Sequence, residues 1–446
     1  MMPVLATAQT NPGSANFGSV PNGSATNQVL HLTLRDAVDM AVRFNLGEIE
    51  SGENARIARG QRLRALSSLL PQVIANVSEH VEQYSVSTLG IRLPIIPQVI
   101  GPFSYSTAQA NASVTLFSFE SIQRFRAART AEEAAQLTYS DTLDVITLIV
   151  GNAYLQITQE GSRITAEEAQ VRNAQALYNQ ATGQLRAGTS PKIDVTRSSV
   201  QLNTEQYNLS IARNNLAIAK LNLSRAIGLP LGQAFDLADA LPYKDINPPT
   251  LEDALDIAYK ARSDLRAAES SVKSAEQGLS AARAQRYPVV AAVGDYGVQG
   301  ANLGHLHGAF TFQGGVTVPI FTGGRIKGDI TQAEAALLQR KAEAENLRGQ
   351  IDYDVRTAFL NLQAAKEQVE VARQNVELAN ENLSRSQERF RAGVTDSVEV
   401  VQAEQSLASA NDQNISSLYN HNLAKLQLAR ALGVARTTYS QYLAMH

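Results

Sequence analysis

"RAGTSPKIDV", residues 186–195, returns as "RAGVTDSVEV" at residues 391–400 of a 446-residue chain. The glycines of the two phrases are 205 positions apart, and the same offset separates Arg225 of "AKLNLSRAIG" from Arg430 of "AKLQLARALG". Nearer the start, "LTLRDAVDMAV" matches "PTLEDALDIAY" at an offset of 217, as do Pro71 and Pro288. "VTLFSF" at 114 and "VTVPIF" at 316 give 202. Self-similarity carried by several blocks in one order is the mark of a duplicated structural unit. The first half holds 15 extra residues between its proline and its V-T block, in or near "TLGIRLPIIPQVIGPF", a Pro-rich apolar stretch that reads as a loop.

Helical patterning is strongest before each phrase. From Val355 to Phe390 large apolar residues recur every seven positions, at Val355, Leu362, Val369, Val376, Leu383 and Phe390, with small ones at Ala358, Ala365, Ala372, Ala379 and Ser386. Alternating steps of three and four make a coiled-coil seam, and its small positions admit a close neighbour. Shifted back by 205 the large positions are Val150, Ile157, Ile164, Val171, Tyr178 and Leu185. Glu160 and Glu167 interrupt the small positions Ala153, Ala174 and Ala181, so that face is expected to be wetter. A soluble coiled coil is the plain alternative reading of the seam alone.

Gly188 and Gly393 follow these seams where a helix end uses glycine to enter the left-handed region. Ser190 and Thr395 then suit the N-cap of a returning helix, with Pro191 at its first position and Asp194 or Glu399 near the positive end of its dipole. Each phrase is therefore a tight hairpin tip. A helix from about residue 120 to 187 would be roughly 100 Å long at about 1.5 Å per residue.

Strand patterning lies at the other end of each long helix. Val73, Ala75, Val77 and Val81 alternate with polar neighbours, Ile74 and Glu79 excepted, and Ala108, Ala110, Ala112, Val114 and Leu116 alternate with Thr107, Gln109, Asn111, Ser113 and Thr115. The second half repeats the two-residue period less perfectly around 289–299 and through Phe310, Phe312, Val316 and Val318. Each half supplies one strand hairpin. Such strands could cross a bilayer with one face to lipid and one to water, although a soluble sandwich sheet has the same period. Four strands cannot close a barrel, and an open edge in lipid leaves backbone groups unsatisfied, so a membrane reading requires several chains to share one barrel.

With these elements in place, the chain resembles the TolC-like outer-membrane efflux proteins. The residues that carry the resemblance are "LTLRDAVDMAVRFN" and its echo "TLEDALDIAYKAR", the proline ending the next helix, "VTVPIFTGGR", the two "RAG" tips and "AKLQLARALG", over about residues 32 to 434. The resemblance implies a mainly α fold with a small β part: a long α-helical coiled-coil barrel, plus four strands given to a trimeric transmembrane β-barrel in the outer membrane. It implies a homotrimer, embedded in outer-membrane lipid with its helices in the periplasm, that docks a periplasmic adaptor (membrane fusion) protein and an inner-membrane pump. The tips Arg186, Ala187, Gly188, Thr189, Ser190 and Arg391, Ala392, Gly393, Val394, Thr395 would be the adaptor-docking surface. A periplasmic constriction would be formed by the helix face of Ser384 and Gln387, with Glu381 and Glu388 beside them and Arg385 and Arg389 interleaved. In "VTLFSFES" Phe117 and Ser121 replace Pro319 and Gly323, so the first strand exit is expected to bend differently.

Other classes fare poorly. Net charge is −3 with 18% charged residues, too little basic excess for nucleic acid. With no Cys the sequence offers no disulfide, thiolate metal ligand, thiol nucleophile or lipoprotein acceptor. No run of about 18 apolar residues occurs to make a spanning helix. The six histidines are scattered, only His305 and His307 being close, and the Gly314–Gly315 and Gly323–Gly324 pairs lack the lysine of a phosphate loop. Asp352 and Asp354 read as a solvated helix face. No catalytic constellation, metal site or cofactor is expected. "ATAQ" near the start is either a clipped signal-peptide site or chance.

The expected organisation is a flexible segment 1–30, a first repeat 31–241 (strand hairpin about 72–118, helical hairpin about 120–228) and a second repeat 242–446 (strand hairpin about 288–321, helical hairpin about 324–433). The Ile91–Phe103 loop is expected to be extracellular. The function expected is a passive exit duct for efflux or type I secretion; the alternative is a periplasmic helical-hairpin adaptor or scaffold without a membrane barrel. Arginines interleaved with glutamates before the second tip should keep the duct only mildly cation-selective. Reversal potentials in a salt gradient check this: strong cation selectivity lost on Glu388→Gln would show an acidic ring instead.

Overall fold

The computed structural model describes residues 18–86, 97–239, 243–246, 248–301, 304–395 and 397–443. The first half runs β1 (Leu30–Leu32), α1 (Leu34–Phe44), α2 (Leu46–Ser67), β2 (Gln72–Ser85), β3 (Val99–Phe117), α3 (Phe119–Arg186), α4 (Lys192–Ile227). The second runs β4 (Phe235–Leu237), α5 (Leu251–Ala261), α6 (Ser263–Ala284), β5 (Val289–Gly300), β6 (His307–Thr317), α7 (Arg325–Arg391), α8 (Ser397–Ala431), followed by α9 (Ala435–Tyr442). The duplication read from the sequence is thus present element by element, with β4, the counterpart of β1, lying before the expected boundary at 241/242. None of the described helices is long and apolar enough to cross a membrane.

Contacts divide the chain into one unit of Met1–Glu53, Gln136–Arg266 and Glu345–His446, and another of Asn54–Ala135 and Ala267–Ala344. In the first unit the repeated "TL-D" motif is a helix cap. Thr33 Oγ1 accepts from the Asp36 N–H at 3.1 Å while the Thr33 N–H donates to the Asp36 carboxylate, and Thr250 accepts from the Asp253 N–H in the same way. These caps start α1 and α5, which bury Leu34, Val38 and Ala41 in one cluster with Ile146, Val150 and Tyr154, and Ala254 and Ala258 in another with Ile351, Val355 and Leu428. A parallel pairing of β1 with β4, Leu30 opposite Phe235, ties the two halves together. Three-residue strands carry too little pattern to be read beforehand.

Residues 18–30, grouped with a flexible lead-in from composition, are instead tied down. The Val20 N–H donates to Phe44 O at 2.9 Å, the Asn22 N–H to Gly228 O at 3.0 Å, and Gln233 takes the Thr26 N–H and gives a bond to Gln28 O. Asn and Ser fail to predict this because most of the partners, Gly228 and Gln233 among them, lie some two hundred residues away. Residues 1–17 lie outside the described set.

In α7 the seam is buried at Val355, Leu362, Val369, Leu383 and Phe390 and at the small positions Ala358, Ala365, Ala372 and Ser386. In α3 the expectation needs correction. Val150 and Ile157 are buried, but Ile164, Val171 and Tyr178 are half-buried and Leu185 is exposed; below Glu160 the buried face is Gln170, Ala174, Leu177 and Ala181. That stretch turns toward the other helical hairpin, where Leu177 shares a cluster with Leu383, Phe390, Val400, Ala403 and Leu407. Glu160 is buried rather than wet. Asp354 likewise is no idle surface charge, since it accepts from Arg262 Nη1 at 3.0 Å.

The second unit holds one antiparallel sheet in the order β2-β3-β5-β6, so the hairpins of the two halves join through β3 and β5. Val99–Phe103, read as loop, already belong to β3, opposite Ser85 to Glu82, while residues 87–96 lie outside the described set. In the same unit α6 packs against the start of α7 through Leu279, Ala282, Ile326 and Ile330, Ser274 Oγ of α6 donates to Ala127 O of α3 at 2.9 Å, and Arg62 of α2 pairs with Glu132 of α3 at 2.7 Å. The two strand exits do differ. Ser118 alone joins β3 to α3 and caps it by accepting from the Ser121 N–H at 3.1 Å, whereas residues 318–324 separate β6 from α7 and end on Gly323 and Gly324, both at positive φ.

Gly228 and Gly433, again 205 apart, both end helices in the left-handed region, at φ 76° and 74°. A Cβ on Gly228 would also stand 2.4 Å from Phe44 Cβ, whereas one on Gly188 (φ 72°) meets open space. Gly188→Ala should therefore cost only the left-handed penalty, about 1 kcal/mol, and Gly228→Ala that penalty plus overpacking, about 2–5 kcal/mol in total. Denaturant unfolding of the two variants side by side measures the difference.

Candidate functional site

Strand register puts directly opposed residues on the same face. Val73, Ala75 and Val77 lie opposite Ala112, Ala110 and Ala108, which lie opposite Gly294, Tyr296 and Val298, which lie opposite Phe312, Phe310 and Gly308. One face of the sheet is therefore apolar across all four strands, and Val77, Val81, Tyr296, Phe310, Phe312 and Val316 on it are exposed. Glu79 stands on this face and takes a hydrogen bond from Ser106 Oγ at 2.5 Å. The other face carries Asn76, Ser78, His80, Thr107, Gln109, Asn111, Asp295, Thr311 and Gln313, with Ser78 bonded to both His80 and Thr107. At its two edges β2 and β6 have one strand neighbour each among the described residues.

Each tip is a Schellman turn. The Gly188 N–H donates to Leu185 O and the Thr189 N–H to Gln184 O; at the second tip Gly393 and Val394 donate to Phe390 O and Arg389 O, all at 3.0–3.1 Å. Arg186 and Arg391 close the long helices and Ala187 and Ala392 lie in the turns, exposed. The cap on the return differs from expectation: Pro191, not Ser190, is the N-cap of α4. Ser190 Oγ donates instead to Asp194 Oδ2 at 2.7 Å and Thr395 Oγ1 to Glu399 Oε2 at 2.5 Å, the same hydroxyl-to-acid clasp at both tips. A side chain already committed to the acid four residues on is not free to cap the backbone. Asp194 Oδ1 also receives Ser397 Oγ at 2.7 Å, so the two tips are bonded to each other through a buried contact.

On the face assigned to a constriction, Glu381 and Arg385 form an ion pair one turn apart. Arg389 pairs across the hairpin with Glu399 at 3.6 Å rather than with Glu388, and Ser384, Glu388 and the half-buried Gln387 make no side-chain bond to that set. The structure thus brings Glu381 with Arg385 and Arg389 with Glu399, and leaves Glu388 outside both pairs.

Two groups went unseen in the sequence. Glu404 on α8 is 2% exposed with neither carboxylate oxygen hydrogen-bonded. Burial, reinforced by the nearby Glu205 carboxylate, pushes its carboxyl up to about 7. Glu205 itself accepts from Gln201 and Asn208, and Glu167 is raised by burial and then by Glu205 and Asp412, with Arg163 the one cation opposing it. His421 is fully buried against Tyr243 with both ring nitrogens unpaired, and burial followed by Lys425 drives it down to about 4. Both lie on the face of α8 that also buries Val400, Ala403, Leu407, Ala424 and Leu428, where helical period alone reads any residue as core filling.

An apolar sheet face with open edges and paired helical hairpins defines a subunit of a shared membrane barrel. The comparisons with known proteins agree. The outer membrane efflux protein family matches residues 57–229 and 254–434, one stretch in each repeat. The toluene efflux pump outer membrane protein TtgF of Pseudomonas putida is 22% identical over 420 residues, 90% of this chain and 83% of its own. Among solved structures, the outer membrane protein VceC of Vibrio cholerae aligns at TM-score 0.77 with 19% identity, over 90% of this chain and 96% of its own. The MtrE outer membrane channel of Neisseria gonorrhoeae, in its open state, aligns at 0.76 with 20% identity over 98% and 97%. The chain belongs to the outer membrane efflux protein family. It is an outer-membrane efflux protein, and the scaffold alternative is not favoured.

Because Glu404 is held above its ordinary value of 4.5, the fold favours its protonated form. Its contribution is fully present below about pH 4.5 and lost as pH rises through about 7, worth at most ~3 kcal/mol. Glu404→Gln should remove that loss, so the variant gains on wild type between about pH 5 and pH 8 in denaturant unfolding; His421 changes stability in the opposite sense but equally in both proteins.

Proposed function

We propose that three copies of this chain form a passive exit duct, completed by a periplasmic adaptor and an inner-membrane pump that supplies the energy. The observation that carries the reading is the open sheet with one continuous apolar face. An unpaired backbone edge in hydrocarbon costs several kcal/mol per group. Four antiparallel strands leave edges of opposite direction, so β6 of one copy pairs antiparallel with β2 of the next, and the same contact repeats until a ring closes. The helices support the same assembly. On α4, Ile193, Val200, Tyr207, Ile211 and Ile218 are exposed, and on α7 Tyr353, Leu360, Val371 and Leu378 are, largely in steps of seven. A heptad stripe that faces water in one chain is a seam awaiting a helix of another.

The tips are the adaptor-docking surface, with Arg186 to Ser190 and Arg391 to Thr395 presented on two matching turns. The Glu381–Arg389 face lines the narrow periplasmic end, and its two ion pairs, with Glu388 outside them, leave it a weak field. Two outcomes are expected. Mass measurement in detergent should give a trimer with single-channel conductance in planar bilayers; a stable monomer that still inserts would refute the shared barrel. Gly393→Val should strain the left-handed turn by about 1 kcal/mol or more and abolish export while leaving insertion and conductance intact. Normal export by that variant would remove the docking role.

A further inference from the structure

The cations of the second unit are distributed on one side only. Between Gln72 and Ser118 the sequence has a single Lys or Arg, Arg92, and between Val289 and Gly324 it has none. Within ten residues of a strand end that meets a helix it has Arg62, Arg64, Arg124, Arg126, Arg283, Arg286, Arg325 and Lys327 against Glu120. Arg62 pairs with Glu132, Arg124 with Glu120, Arg325 with Asp329 and Arg283 with Glu334. Arg64, Arg126, Arg286 and Lys327 are exposed and have no ion pair or side-chain hydrogen bond among the described residues.

Their placement is not explained by the helices that carry them. Arg64 lies in the last turn of α2, where the dipole favours a cation, but Lys327 lies in the first turn of α7, which has no acidic residue and where the dipole opposes it. Immediately toward the sheet stand large apolar groups in solvent: Ile320 and Phe321 are 96% and 90% exposed, and Phe119 and Tyr287 are exposed and pack edge to face at 5.8 Å. Between α2, α3, α6 and α7, Arg64 and Arg124 line a cleft of about 720 Å³ with Gln61, Ser68, Gln285 and Asp329. An apolar rim followed within about two turns by unpaired cations reproduces, in order, the acyl and phosphate levels of one lipid leaflet.

We propose that this basic collar binds the phosphate headgroups of anionic glycerophospholipids in the leaflet from which the helices emerge. The proposal rests on the membrane placement of the sheet. Arginine matches a phosphate with paired N–H donors and lysine as a point charge. Each cation near an anionic surface contributes about fivefold to partition at low salt, and closing the barrel repeats the four around its whole circumference.

The chain has no tryptophan, so Phe312→Trp on the apolar face supplies a single reporter. Purified protein is reconstituted in phosphatidylcholine, and quenching by dibrominated phosphatidylglycerol is compared with quenching by dibrominated phosphatidylcholine. The expected result is a preference for phosphatidylglycerol of at least about fivefold that falls toward equality when Arg64, Arg126, Arg286 and Lys327 are all changed to Gln. It should also fall at about 1 M salt, where screening shortens to about 3 Å. Changing the three arginines to Lys keeps the charge and should keep the preference. Equal quenching in the parent, or a preference untouched by the four Gln changes, overturns the collar while conductance still upholds the channel. Absence of quenching by either lipid overturns the membrane placement itself.

Discussion

A backbone amide in hydrocarbon has no water to turn to. Everything else in this chain follows from that constraint once a sheet with one largely apolar face is committed to a bilayer. Four strands are too few to curl closed, and their outer edges run in opposite directions, so the unmet hydrogen bonds of one copy can be met only by another. The duplication serves the same end. Two similar repeats, each with a strand hairpin and a helical hairpin, let one chain supply an even number of strands and a matching set of helices to a ring.

Within the helical hairpins, size decides contact. Alanine and serine at Ala358, Ala365, Ala372 and Ser386 let α7 approach its neighbours while Val355, Leu362 and Phe390 fill the space between. The left-handed glycines end these helices at corresponding places in both halves, Gly188 with Gly393 and Gly228 with Gly433. At the tips, a hydroxyl from Ser397 reaches the Asp194 carboxylate of the other hairpin. That bond links the two turns to each other.

Most of the architecture was legible because long elements write their period many times. The seam of α7, the alternation in β3 and the glycine-marked tips were read in place. What escaped depended on contacts distant in sequence: β1 against β4, the tethering of residues 18–30, and the turning of the α3 face from Tyr178 to Leu177, which follows from packing against α7 and α8 rather than from heptad count. The tips were found, but their clasps were misassigned, since Ser190 and Thr395 could equally cap a backbone or bond an acid one turn on. Glu404 and His421 were missed because a position on a buried helix face is read as apolar by default. The four cations near the strand ends stand out from the other charges only once the strand bounds are fixed.

The unequal strand exits have a mechanical meaning. At Phe117–Phe119 a strand becomes a helix across one capped residue, so the joint is stiff, and rotation of α3 is passed directly into β3. At residues 318–324 a looser segment ending in two glycines lets α7 turn without carrying β6 with it. Each copy thus brings one stiff and one slack joint to the base of its sheet, so a torque on one long helix reaches its strand while a torque on the other is spent in the linker.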